Sequence, residues 1–179
     1  THDVAGNQVW IQRAALRDLP PIARLQRQCF PDGQAYGLVT LLVLYWWPSV
    51  EILVARFGER LAGCVVGDVH RSQGRVLNLC VAPEFRRQGI GAALLGAIEQ
   101  VLSAEQFTLM VEDKNAGAQE LYRRSGYLPV SELRHYYGRN RHGILMQKRR
   151  GDRMSWQVSM RSSRPIALVV MPEAGRRQP

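Results

Sequence analysis

"RVLNLCVAPEFRRQGIGAALLGAIEQ", residues 75–100, is the stretch on which the fold turns. Its opening is a short apolar run closed by Pro83, the way a buried strand ends, and its close is an alanine- and leucine-rich stretch that reads as a helix. Between them stand Arg86, Arg87, Gln88 and the pair Gly89-x-Gly91. The unit is strand, glycine loop, helix.

Two familiar phosphate loops fit this unit poorly. A nucleotide loop of the Walker type ends in Gly-Lys-Ser/Thr, which is absent. A dinucleotide fingerprint would place an acid about twenty residues on, where Glu112 stands, but its third glycine position holds Leu94 and three antiparallel strands precede it. The physics instead favours a pyrophosphate on the helix N-terminus, met by the backbone amides of Arg87 to Ala92. Glycines at 89 and 91 let a ligand touch the backbone, and the arginines add charge.

The rest of the chain limits what such a unit serves. At 179 residues and 46% hydrophobic, it predicts one domain with a real core. Cys29, Cys64 and Cys80 lie at wide spacings, one necessarily unpaired, and no Cys/His cluster has metal-ligand spacing, so no metal is expected. A reducing compartment suits them, and "THDVAGNQVW" has no basic-then-apolar leader pattern, so the expected location is cytoplasmic. Gly33 to Val50 carries no charge, but Gly37 and Pro48 interrupt it. Its unbroken apolar core, Leu38 to Trp47, is too short to span a membrane. A helix buried on one side, exposing Tyr45, Trp46 and Trp47 as a substrate wall or a homodimer face, is expected. Of the net charge of +9, two thirds sits after residue 147, in a basic tail that is either a solvated segment or a nucleic-acid or ribosome contact.

Read in order, the chain predicts β-α-α-β-β-β-α-β-α-β-β. The elements are a strand at 9–15, a helix capped by Asp18, an apolar helix at about 35–47, and three antiparallel strands with turns at Gly58-Glu59 and Ser72-Gln73-Gly74. The glycine-loop helix follows, then strand "FTLMVE", a helix opened by Asn115 and stopped by Gly126, and strands "YLPVSELRHYY" and "GILMQKR". The expected fold is α+β, a layered α/β/α arrangement with a mixed, mostly antiparallel sheet and helices on both faces. Residues 1–150 form the domain, and 151–179 form a basic, weakly ordered appendage or short hairpin.

"LNLCVAPEFRRQGIGAALL" resembles motif A of the GNAT superfamily of acyl-CoA N-acyltransferases, whose Arg/Gln-x-x-Gly-x-Gly/Ala signature is met by Arg86, Gly89 and Gly91. "VEDKNAGAQELYRRSGY" resembles motif B, with Asn115 and, seven residues later, Tyr122. Within the superfamily, "CFP" at 29–31 and "LRHYYGRNRHGILM" at 133–146 are similar to the early substrate loop and Tyr-Tyr hairpin of the ribosomal-protein alanine and other protein N-terminal acetyltransferases. The acidic "DGxDA" stretch of that hairpin is replaced by Asn140-Arg141-His142-Gly143.

The resemblance implies acetyl-CoA as donor and direct attack by an amine in a ternary complex. It implies donor contacts at Leu79, Cys80 and Val81, at Arg86, Arg87, Gln88, Gly89, Ile90, Gly91 and Ala92, and at Asn115 and Tyr122. Acceptor contacts fall on Phe30, Pro31, His135, Tyr136 and Tyr137. Tyr122 is the candidate acid for the departing thiolate. The position five residues before Asn115, where the family's alanine acetyltransferases usually carry glutamate, is Met110. Glu112, on the same strand face, becomes the candidate base, with His135, His70 and water as alternatives. The acceptor is a protein N-terminus, a small amine or a lysine; a non-catalytic acyl-CoA sensor is the competing class.

Overall fold

The computed structural model describes residues 8–30, 33–151 and 167–170. The elements are β1 (Gln8–Arg13), α1 (Leu19–Cys29), α2 (Leu38–Tyr45), β2 (Val50–Phe57), β3 (Arg60–His70), β4 (Gln73–Val81), α3 (Ile90–Leu102), β5 (Gln106–Glu112), α4 (Ala116–Arg124), β6 (Leu128–Gly138), β7 (Arg141–Arg149) and β8 (Ala167–Val170). They form one sheet in the order β6-β7-β5-β4-β3-β2-β1-β8, antiparallel throughout except for β4 against β5. The expected element order holds, with β8 added on the free edge of β1. The other residues beyond Gly151, and with them most of the predicted appendage, lie outside the described residues.

Alternation along β3 sorts the helices onto two faces. A Cβ on Gly63 would come within 3.0 Å of Leu94, and one on Gly67 within 3.0 Å of Ile98 and Leu102, so α3 lies directly on that side. The intervening Cys64 faces α1, where Gln26 reaches its sulfur at 3.6 Å and hydrogen-bonds Asn78. Leu94, Leu95 and Ile98 of α3 and Leu19 and Ile22 of α1 are fully buried, each worth about 1.5–3 kcal/mol of transfer free energy. Among polar groups, Glu99 of α3 accepts from Lys148 of β7 at 2.8 Å and from the Tyr127 hydroxyl at 2.8 Å. This buried triad ties helix, sheet and the start of β6 together.

Three local expectations are corrected. Asp18 does not cap α1: positions two and three of that helix are Pro20 and Pro21, which have no N–H for a cap to bind. Its carboxylate accepts instead from the Ala15 N–H at 2.8 Å and pairs with Arg56. The β3–β4 turn is the two-residue Arg71-Ser72, both at positive φ, as a tight hairpin requires. Gly74 lies in the strand, where a Cβ would strike the Phe107 ring at 2.5 Å. The apolar helix is shorter than expected, Leu38–Tyr45. It buries Leu41, exposes Val39, Val43, Trp46 and Trp47, and turns Tyr45 partly inward against the core. No helix among the described residues is long and apolar enough to cross a membrane.

Candidate active site at the parting of two parallel strands

Strands β4 and β5 pair only from Gln73↔Gln106 to Val76↔Leu109. Beyond that point β4 stays with β3 as far as Val81, while β5 stays with β7 as far as Glu112, so the two parallel strands diverge. A bulge marks the fork. Val66 pairs with Asn78 and Gly67 with Val76, leaving Leu77 as the extra residue that bends β4 away. The fork opens a cleft of about 800 Å³ whose walls are Leu79, Cys80 and Val81 of β4, the glycine loop, and one face of α4.

Gly89 adopts φ +83, a left-handed conformation that only glycine takes without strain, and nothing lies within 4 Å of where its Cβ would be. The space a side chain would fill is therefore free for a ligand to approach the backbone. Gly91 works differently: a Cβ there would meet Leu121 at 3.2 Å, so it lets α3 and α4 approach closely. The first N–H groups of α3 have no intrahelical acceptors and point at the loop. Arg86 and Arg87 flank them; the Arg86 Nε also donates to Val81 O at 3.1 Å. Amides, two arginines and an unfilled cradle fit a pyrophosphate.

Asn115 caps α4 as expected, its side-chain oxygen accepting from Ala118 N–H at 3.1 Å, and it lines the cleft. Helical spacing then brings Gly117, Ala118, Leu121, Arg124 and Ser125 onto the same wall. That wall went unread in the sequence, although i, i+3 and i+6 spacing from Asn115 carries it. Arg124 adds a third cation, engaged with Glu120 at 2.6 Å. The side chains of Gln88 and Ile90 point elsewhere, so what these two residues offer the loop is backbone: Gln88 donates back to Glu84 O at 3.2 Å, and the Ile90 side chain is core.

Tyr122 lies one residue beyond Leu121, buried, with its ring edge-on to Tyr127 at 6.0 Å. Burial, with Cys80 nearby, pushes its hydroxyl up to about 12, so it stays protonated at neutral pH. Phe30 lines the cleft; Pro31 lies outside the described residues. Tyr136 and Tyr137 pack edge-on with ring centroids 4.9 Å apart, Tyr36 lies within electrostatic range of both, and the Tyr137 hydroxyl donates to Met110 O at 3.0 Å. His135 is occupied within the hairpin, its Nδ1 accepting from Asn140 N–H and its own N–H reaching His142 Nδ1, each at 3.1 Å.

Glu112 is on the expected strand face, since Met110 pairs with Leu145 and Glu112 with Gly143 in one regular register. Its chemistry differs from the expectation. Arg141 grips both carboxylate oxygens at 2.7 and 2.8 Å. The Arg141 hydrogen bonds and charge hold Glu112 below the usual carboxylate range, which makes it a weaker proton acceptor.

Comparison with known proteins agrees with this geometry. The profile of the Acetyltransferase (GNAT) family matches residues 19–127. An N-alpha-acetyltransferase of Sulfurisphaera tokodaii is 28% identical over 158 residues, covering 79% of this chain and 93% of the relative. The ribosomal-protein-S18-alanine N-acetyltransferase of Escherichia coli shares the fold with a TM-score of 0.71 at 21% identity, covering 83% of this chain and 97% of that one. The PaiA N-acetyltransferase of Thermoplasma acidophilum, solved in complex with coenzyme A, gives 0.69 at 16% identity, covering 79% and 98%. The chain belongs to the acetyltransferase (GNAT) family and is an enzyme that takes an acetyl group from acetyl-CoA and passes it to an amine.

Proposed function

We propose that the acceptor is the α-amine of a protein or peptide N-terminus, acetylated by direct attack within a ternary complex. The observation that carries this reading is the packed pair Tyr136 and Tyr137 beside the end of β5, with Tyr36 of a separate segment in electrostatic range. Phenols from two walls suit an extended backbone, with rings to pack on and hydroxyls to hydrogen-bond. The naming of relatives as N-alpha-acetyltransferases supports it.

When bound, acetyl-CoA supplies an activated thioester. The residues of this chain divide the remaining work. The α3 amides with Arg86, Arg87 and Arg124 hold phosphates, and the unpaired edge of β4 at Leu79 to Val81 aligns the donor arm and polarises the carbonyl. Tyr122 keeps a proton at its hydroxyl and gives it to the departing sulfur. Glu112, kept ionised by Arg141, acts at the acceptor end as a fixed negative charge that attracts the amine, and water takes the amine's proton.

The hairpin around this end is basic. Arg134 and Arg139 are exposed, and Lys114 reaches Asn140 O at 3.3 Å. Peptides with acidic residues following the N-terminus are therefore favoured over basic ones. Thiol release from acetyl-CoA with matched acidic, neutral and basic peptides, free and N-terminally blocked, tests the reading. Turnover of blocked lysine peptides or of small amines in preference to free N-termini would overturn it.

A further inference from the structure

The three cysteines, far apart in sequence, are adjacent in space. Cys64 and Cys80 stand directly opposite in the β3–β4 ladder, both buried, with sulfurs 3.4 Å apart. Cys29, the last residue of α1, is partly exposed and shares the cleft wall with Cys80. Its Sγ donates at 3.5 Å to Val81 O, the same oxygen that accepts from Arg86 Nε. The thiols thus form a row from the sheet interior to the cleft, with a guanidinium at the outer end. The transfer reaction uses none of them as a nucleophile.

We propose that Cys29 is a reactive thiol on the wall of the donor cleft and a site of reversible mixed-disulfide formation with anionic low-molecular-weight disulfides, which closes the cleft to acetyl-CoA. The Cys29 sulfur attacks one sulfur of R–S–S–R; the S–S bond breaks, R–S⁻ leaves and Cys29–S–S–R forms, with no further oxidant. Of the groups that face Cys29, Cys80 and Arg86 favour the thiolate, while the Val81 carbonyl, which accepts from the thiol, favours the protonated form. The neighbouring Cys80 thiol and the Arg86 guanidinium lower Cys29 to about 6, against its partial burial and the charge of Glu84, which raise it. Hydrogen bonds to Cys29 and Cys64, with burial, push Cys80 well up, so it remains a thiol. Arg86 and Arg87 attract carboxylate-bearing disulfides, and the attached group occupies the space beside Val81.

The inference rests on the cleft being the donor site, and its test separates the two. The full chain is treated with glutathione disulfide from about pH 5 to pH 9, with and without acetyl-CoA, and followed by intact mass and peptide mapping. Calorimetry measures acetyl-CoA affinity before modification, after it, and after dithiothreitol. One adduct is expected, on Cys29 and absent in Cys29→Ser. Its rate should rise through about pH 6 and level off near pH 7, with the midpoint moved upward in Arg86→Ala. Saturating acetyl-CoA should slow the reaction at least ~10-fold, and the adduct should weaken acetyl-CoA binding by a similar factor, reversibly. Modification of Cys29 only above about pH 8, or unchanged affinity of the adduct, overturns the proposal. Failure of the unmodified protein to bind acetyl-CoA refutes the donor cleft itself, whereas normal binding with an inert Cys29 refutes the thiol alone.

Discussion

Replacing Gly89 with alanine separates the two roles of the glycine loop, because the structure fixes the size of each. At φ +83 an alanine pays about 1–2 kcal/mol for the left-handed conformation, and no neighbour within 4 Å adds a clash. For a chain of this length that lowers the melting temperature by roughly 2–8 °C and leaves the protein folded. If the loop holds the phosphates as proposed, the added methyl also stands between ligand phosphate and backbone. Losing one hydrogen bond from a backbone N–H to a charged group costs about 1.5–3 kcal/mol, so acetyl-CoA affinity should fall roughly 10- to 150-fold. Gly58→Ala is the control. Gly58, in the β2–β3 turn, has φ +56 and equally open surroundings, so it carries similar strain with no ligand nearby. Calorimetric titration with acetyl-CoA and thermal melts of both variants should show similar losses of stability and a loss of affinity in Gly89→Ala alone. Equal affinities in the two folded variants would refute the assignment of the loop to the phosphates.

Tyr122→Phe keeps the ring against Tyr127 and removes only the hydroxyl, so kcat should drop roughly 10²- to 10⁴-fold while the KM for acetyl-CoA holds; full activity would dismiss Tyr122 as the acid. Because Arg141 keeps Glu112 ionised, its carboxylate contributes charge above the usual carboxylate range and loses it as pH falls through its lowered value. Glu112→Gln should therefore reduce kcat/KM by a similar factor at all pH values from about 6 to 9, and a loss confined to one limb of the profile would restore Glu112 as a base. Glu99→Ala strands the buried Lys148 ammonium and should cost about 3–5 kcal/mol, or roughly 6–20 °C in melting temperature, measured by differential scanning calorimetry.

What the sequence discloses of this site is what is local in the chain. The glycine loop and the Asn115 cap are written within a few residues each, and both stand in the structure where the reading put them. Asp18 is local too, and the information that defeats it as a cap lies in Pro20 and Pro21 immediately after it. The fork is of another kind. Where β4 leaves β5 depends on a bulge at Leu77 and on pairing with β3 and β7, and no run of residues states a register. The Arg141 grip on Glu112 joins residues 29 apart, and the Cys29, Cys80 and Cys64 row joins a helix end to two strands. Such contacts emerge only when the sheet assembles, which is why Glu112 could be picked out from the sequence as a candidate base but its grip by Arg141 could not.

Under the proposed function, the fork between β4 and β5 is where an acetyl group passes from acetyl-CoA to a peptide N-terminus. The most direct measurement is mass spectrometry of a free-N-terminus peptide incubated with acetyl-CoA and enzyme, with thiol release followed in the same reaction. One acetyl group on the α-nitrogen is expected per thiol released, absent with the N-terminally blocked peptide and reduced at least ~100-fold by Tyr122→Phe. Acetylation on a lysine side chain, or thiol release that proceeds equally with the blocked peptide, would contradict it.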